Sequence, residues 1–356
     1  MSASPLLSQL TTLRLGGPAR RFQRAGSEEE LLHAVQAADA AGEPLLVLAG
    51  GSNVVVADEG FDGAVVQVAT RGIERVELRD GRVWLDVAAG EDWDALVAAC
   101  VADGLAGIEA LSGIPGSVGA TPIQNVGAYG QEVADVVVAV RALDRSTGAV
   151  HVLEPEACLF DYRSSVFKRD PGRWVVLRVS FALERSALSE PVRYAELARR
   201  LRIAPGTSAP LADVRAAVLE LRRGKGMVLD PDDPDSVSAG SFFTNPVLRP
   251  GAFAELQRRV ADRLGDDARP PAWPADGRSV KTSAAWLIER ADFARGHGNP
   301  DGIAISSKHT LALCNRGNGT TAELVALARE IAGGVRDAFG VELVPEPVFV
   351  GHRWEG

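Results

Sequence analysis

Three short stretches hold the side chains best suited to chemistry. YRSSVFK places Arg163 among aromatic and small residues, AGSFFTNP places Ser241 and Asn245 around two phenylalanines, and LVPEPVF fixes Glu346 between two prolines. An arginine is permanently charged and can fork onto a carboxylate. A serine hydroxyl is a neutral proton donor, and a glutamate can accept or hold a proton. Each also has an ordinary reading: an ion-paired arginine, a serine capping a turn, an exposed glutamate on an edge strand. The histidines are His33, His151, His297, His309 and His352, none in metal-ligand spacing, so no metal site is expected. No GxSxG elbow or Cys/His arrangement points to a hydrolase.

A fourth stretch has almost no functional groups. Leu111–Gly130, LSGIPGSVGATPIQNVGAYG, carries five glycines, two prolines and no charge. A plain loop would be richer in Asp, Lys or Ser, and a strand would not tolerate so much Gly and Pro. One reading is a lining of backbone amides around a large flat ligand, since glycine allows close backbone approach. The other is a buried bend between two strands.

The elements that must position these residues follow from pattern. Ser27 and Glu30 form a capping box ahead of LLHAVQAADA, with Gly42 as its stop. LLVLAG reads as a short buried strand, and it runs into GGSNVVVADEG. A β-branched run follows those glycines where a Rossmann or P-loop motif needs a helix, so the loop joins strand to strand. A phosphate site at Gly50, Gly51, Ser52 and Asn53 would be an amide nest without a helix dipole. A second unit starts near Gly72. It holds VWLDVAAG as a strand, EDWDALVAACVADG as a helix, and VADVVVAVRALD, AVHVL and WVVLRVSFAL as strands. The helix LADVRAAVLELRR ends in GKGMVLDPDDPDSVSAGS, a plausible domain boundary. Beyond it come FAELQRRVADRL, a Pro-rich link, SAAWLIERA, the loop ARGHGNPDG, the strand-like TLALCN, the helix AELVALAREIAGGVRDAF with a Thr320/Glu323 capping box, and the strand-like VELVPEPVFVG. Consecutive strands argue for mixed α+β and against a doubly wound sheet.

The composition sets limits. At 356 residues, 46% apolar and 24% charged, the chain reads as globular with two or three domains. A net charge of −9 argues against general nucleic-acid binding while leaving room for a local basic pocket. Cys100, Cys158 and Cys314 are scattered and read as free thiols in a reducing cytosol. MSASPLLSQLTTLRLGG lacks the pattern of a signal peptide, and no apolar run reaches membrane-span length.

AGGSN, IPGSVGATPIQNVGAYG, YRSSVFK, AGSFFTNP and VPEPVF stand in an order that resembles the UDP-N-acetylenolpyruvoylglucosamine reductase (MurB) family. The resemblance implies the two-lobed FAD-binding fold of the vanillyl-alcohol oxidase type plus a C-terminal α+β substrate-binding domain. The implied spans are 1–71 and 72–227 for the FAD-binding lobes, 228–340 for the substrate domain, and 341–356 for a return to the FAD-binding part. It further implies non-covalent FAD held by Gly50, Gly51, Ser52, Asn53, Gly113, Ile114, Pro115, Gly116, Gly119, Ala120, Gln124, Asn125, Gly127, Ala128 and Tyr129. SEPVRYAEL, carrying Tyr194, resembles the tyrosine loop of the type I branch.

The family reaction is NADPH-dependent reduction of the enolpyruvyl ether of UDP-N-acetylglucosamine to UDP-N-acetylmuramate, for peptidoglycan synthesis. Hydride passes from flavin N5 to the vinyl carbon, and a proton is added at the neighbouring carbon. By resemblance Arg163 and Glu346 stabilise the charge that develops on the substrate carboxylate. Glu346 is expected to be protonated, or hydrogen-bonded to a neutral donor, when substrate is bound. Ser241 is the implied proton donor, and Tyr194, Lys225 and Asn245 would address the nucleotide diphosphate. His309 either lines the same pocket or is structural. A cytoplasmic monomer is expected, with no membrane or nucleic-acid partner. The alternatives are a flavin oxidase on the same fold and an inactive nucleotide-sugar-binding protein.

Overall fold

The computed structural model describes residues 5–275 and 277–354. The outermost ends of the expected spans 1–71 and 341–356 lie outside the described residues. The chain divides into two compact units, parted in the linker between Gly224 and Lys225.

The first unit is built on two main sheets, besides a two-stranded ribbon of Gly127–Ala128 and Gln131–Glu132. In the smaller, Ala19–Ala25, Phe61–Val68 and Leu45–Leu48 lie in that order, the last two parallel. The helix Glu28–Ala40 connects two of its strands, and Ser27 accepts the Glu30 N–H at 3.2 Å as the capping pattern predicts. The larger sheet runs Ala149–Leu153, Val137–Asp144, Trp174–Arg185, Arg82–Ala88, Ile73–Glu77, antiparallel throughout. Its central strand, Trp174–Arg185, is buried along nearly all of its length, so it reads as a continuous apolar run. The helix Trp93–Ala102 follows the strand Arg82–Ala88 and is capped by Asp92. Its apolar face, with Trp93, Leu96, Val97 and Cys100, enters the main core with Phe181 and Val179.

The second unit takes in Leu6–Pro18, Ser52–Phe61 and the chain from Lys225 onward. In this unit the parallel pairing of Val348–Val350 with Val54–Val56 ties the tail to a segment of the expected span 1–71, a pairing that local pattern does not encode. One three-stranded sheet of this unit runs Ser238–Ser241, Ala312–Asn315, Ile303–Ile305, and another runs Val247–Leu248, Val280–Lys281, Trp273–Pro274. The helices Pro250–Leu264, Ala284–Arg290 and Thr321–Phe339 contribute Leu256, Leu287, Ile331 and Phe339 to one core with Phe242 and Phe243.

All three cysteines are free and buried, and burial pushes each thiol up to about 12. Among the described residues no helix is long and apolar enough to cross a membrane, and no cluster of His, Cys, Asp and Glu is placed to hold a metal.

The longest helix carries its full capping box: Thr320 Oγ1 accepts the Glu323 N–H at 3.1 Å, and Glu323 Oε2 accepts the Thr320 N–H at 2.9 Å. Thr320→Ala is expected to cost about 1 kcal/mol in urea unfolding. A change below a few tenths would show that tertiary packing alone holds this helix start.

Candidate cofactor and substrate site

In the first unit the glycine-rich stretch forms short 3-10 turns and bends, with only Gly127–Ala128 in a short strand paired to Gln131–Glu132. Backbone bonds tie it to the loop ahead of the helix Trp93–Ala102. Trp93 N–H donates to the Gly116 carbonyl at 3.1 Å, and Val118 N–H donates to Glu91 at 2.9 Å. Gly119 N–H donates to Ala89 at 2.9 Å, and a Cβ on Gly119 would lie 2.5 Å from the Ala89 Cβ. Gly119 is therefore small for packing against the sheet.

Gly50 and Gly116 are small for a different reason. A Cβ on Gly50 would come within 2.8 Å of the Gly116 Cα. This backbone-on-backbone approach joins the GGSN loop to the IPGSVG turn. Around it Ile114, Pro115, Gly116, Ala120, Gly127 and Ala128 are only half-buried, and Ile123 is exposed. Ser117, beside Gly116, has a buried hydroxyl with no hydrogen-bond partner among the described residues. A buried polar group of this kind calls for a partner from outside the protein. A half-exposed apolar lining, a glycine cradle and an orphaned hydroxyl fit a large planar cofactor with a polar tail.

The remaining lining residues divide between the interior and this surface. Asn125 is buried at positive φ. Its amide donates to Glu132 at 2.7 Å and to the Asp161 carbonyl at 3.3 Å, and its Oδ1 accepts the Ala134 N–H at 3.1 Å. Its side chain therefore ties the stretch to the arginine loop, and its backbone N–H donates to the Pro122 carbonyl at 3.5 Å. Gln124 is half-buried beside it. Tyr129 stacks edge-on with Tyr194, ring centroids 5.4 Å apart, and burial pushes its phenol up to about 12. The tyrosine segment and the glycine-rich stretch thus meet. Tyr194 sits at the N-cap of the helix Ala195–Leu201 and is exposed.

Arg163 lies at φ +52° between the two short helices Pro155–Cys158 and Val166–Arg169. Its Nη2 donates to the Gly127 carbonyl at 2.8 Å, so the guanidinium lies along the predicted lining. Arg222 adds positive charge near Arg163 and Tyr129, although burial pushes its guanidinium below the usual value.

The second unit brings three distant motifs together. Glu346 N–H donates to the Phe242 carbonyl at 2.8 Å, which sets Glu346 beside the residue after Ser241. Phe243 bridges Pro345. Val348 N–H donates to the Asn53 carbonyl at 2.9 Å, and Asn53 Nδ2 reaches the Glu346 carbonyl at 3.4 Å. Ser241 ends its strand just past Gly240, which has φ +75° and sits in a register shift. The Ser241 side chain is half-buried and makes no hydrogen bond among the described residues, so it does not cap the following turn.

Asn245 has a structural task that its motif did not show. Its Oδ1 accepts the Ala284 N–H at 3.0 Å, at the start of the helix Ala284–Arg290. Lys225 is half-buried at the start of the unit. His309 Nδ1 accepts the Leu311 N–H at 3.2 Å. Sequence reasoning passed over Ser117, Asp94 and Arg222. Ser117 could have been found as the one hydroxyl flanked by PG and VG.

Comparison with known proteins decides the family. A profile described as "FAD binding domain" matches residues 19–154, and one described as "UDP-N-acetylenolpyruvoylglucosamine reductase, C-terminal domain" matches 232–350. The UDP-N-acetylenolpyruvoylglucosamine reductase of Thermobifida fusca is 58% identical over 97% of this chain and 96% of its own. That of Saccharopolyspora erythraea is 56% identical over 97% and 94%. The chain belongs to the UDP-N-acetylenolpyruvoylglucosamine reductase family. The crystal structure of the reductase from Thermus caldophilus is similar over 97% of both chains, with 27% identity and a TM-score of 0.64. The chain is therefore an oxidoreductase with an FAD-binding domain and a C-terminal reductase domain, of mixed α and β structure as expected.

The contact between Gly50 and Gly116 gives a direct test of the cradle. Gly50→Ala should lower FAD affinity by at least about tenfold, the equivalent of roughly 1.4 kcal/mol, measured by flavin fluorescence. Unchanged affinity would show that this contact lies away from the cofactor.

Proposed function

We propose that this chain reduces the enolpyruvyl ether of UDP-N-acetylglucosamine to UDP-N-acetylmuramate, with NADPH as reductant. The relatives' shared name supports the substrate class. Within the structure, the observation that carries the reading is the Phe242–Glu346 backbone bond, which brings the backbone of Glu346 to the residue that follows Ser241, whose half-buried hydroxyl is uncommitted.

Gly50, Gly51, Ser52, Asn53, Gly113–Gly116, Ala120 and Gly127–Tyr129 would hold FAD, with Ser117 offering its hydroxyl to the polar tail. The chemistry that FAD supplies when bound is hydride storage, accepting hydride from NADPH and yielding it to an electron-poor carbon. The protein's part is to make that carbon electron-poor and to complete the addition with a proton. Arg163 serves the first task. Its fork would bind the substrate carboxylate, and its bond to Gly127 fixes the guanidinium for that purpose. Glu346 would face the same developing charge. Ser241 would give its proton to the carbon next to the one that receives hydride. A hydroxyl is a weak acid, yet a carbanion-like centre is basic enough to take its proton, and a neutral donor is not repelled by surrounding charge.

Tyr194, Lys225 and the amide nitrogen of Asn245 would bind the nucleotide diphosphate. In functional terms 1–71 and 72–227 would serve FAD and 228–340 the sugar nucleotide. The three buried free thiols suit a reducing cytoplasm, where the product would enter peptidoglycan synthesis.

Ser241→Ala separates the two half-reactions. NADPH oxidation needs no proton from position 241, so flavin bleaching in stopped flow should stay near the parent rate. Reoxidation by the enolpyruvyl substrate should slow on the order of 10²–10⁴-fold. Equal slowing of both phases, or of neither, would remove Ser241 as the donor.

Tyr194→Phe keeps the edge-on stack with Tyr129 and loses only the hydroxyl. The Michaelis constant for the sugar nucleotide should rise by the equivalent of roughly 1.5–3 kcal/mol, one hydrogen bond to a charged group, while flavin reduction changes less. An unaltered Michaelis constant would argue that the hydroxyl makes no contact with the diphosphate.

A further inference from the structure

Asp94 stands in the first turn of the helix Trp93–Ala102, but the task of capping that helix falls to Asp92, which accepts the Ala95 N–H at 2.8 Å. Asp94 is thereby left to other partners. Its Oδ1 accepts the Gly113 N–H at 2.6 Å and Arg215 Nη1 at 2.6 Å, and its Oδ2 accepts Arg215 Nη2 at 2.9 Å. Burial pushes the Asp94 carboxyl up, yet the Arg215 fork and the Gly113 amide outweigh it and hold the group below the usual carboxylate value.

The two partners lead in different directions. Gly113 opens the stretch assigned to FAD. Arg215 belongs to the helix Leu211–Arg223, which packs against the Glu109–Leu111 turn and against the helix Ala195–Leu201 that Tyr194 begins. Arg222, two turns further along the same helix, interacts electrostatically with Asp94, Tyr129 and Arg163. Exposed ion pairs contribute little. This one is bidentate, its arginine is only 18% exposed, and it anchors a backbone amide of the lining.

We propose that Asp94 and Arg215 act as a latch that fixes the start of the FAD lining and the tyrosine segment against each other, so that cofactor affinity and nucleotide-sugar affinity depend on one ion pair. The latch rests on the FAD reading. Asp94 and Arg215 are positioning residues, acting through Gly113 and Tyr194.

The test compares Asp94→Asn, Arg215→Met and the double variant in the full chain. FAD affinity of the flavin-stripped protein is read by fluorescence quenching, and KM and kcat for the sugar nucleotide are read in the holoenzyme. Each single variant should weaken FAD binding roughly 10- to 100-fold, the loss of a charge-assisted bond, and should raise KM by a larger factor than it lowers kcat. The double variant should be no worse than the poorer single one, because both remove the same interaction. Arg215→Lys keeps charge and stem without the fork. It should show weakened FAD binding while its unfolding midpoint stays at the parent value, so the result does not depend on a variant that fails to fold. FAD affinities at the parent value, or losses that simply add in the double variant, would overturn the latch. A parent protein that takes up no FAD would remove the FAD reading and the latch together. A parent that binds FAD beside unaffected variants would remove only the latch.

Discussion

The approach of Gly50 to Gly116 is the constraint on which the first unit depends. Two loops from separate parts of the chain touch through their backbones, and any side chain at Gly50 would part them. The sheet supplies the rigidity that the loops lack. Trp174–Arg185 anchors Ala89 through the bond from Ala89 N–H to the Leu177 carbonyl, and Ala89 in turn holds Gly119. Regular structure thus ends where the ligand surface starts, and its last residues hold the irregular chain in place.

In the second unit the proposed proton donor, Ser241, would need a precise place without strong hydrogen bonds of its own. Here the neighbouring backbone does the tying. Phe242 is bonded through its N–H to Leu311 at 2.7 Å and through its carbonyl to Glu346, while its ring is buried against Phe243 and Phe349. Ser241 is therefore fixed by its neighbour in the chain, and its hydroxyl stays uncommitted.

Much of this was legible in the sequence because it is local. Ser27, Asp92 and Thr320 cap their helices through bonds to residues three positions on, and such spacing is visible in a string of letters. The motifs around Arg163, Ser241 and Glu346 were legible for the same reason. The features that stayed hidden depend on distance along the chain. The pairing of Val54–Val56 with Val348–Val350 joins the C-terminal segment to a distant part of the chain, and no periodicity announces it. Asn125 and Asn245 both sit in ligand-like motifs, but the fold gives their side chains backbone partners far away in sequence. Asp94 looks like one more acid at a helix start until Gly113 and Arg215 arrive beside it.

The proposed reaction passes hydride from NADPH to an enolpyruvyl sugar nucleotide through bound FAD. An anaerobic experiment measures that passage itself. The FAD-loaded protein is bleached with one equivalent of NADPH and then mixed with the enolpyruvyl ether of UDP-N-acetylglucosamine. The yellow colour should return stoichiometrically, with UDP-N-acetylmuramate formed in equal amount. A flavin that stays bleached with this substrate, or that recolours only when oxygen is admitted, would contradict the proposed reaction.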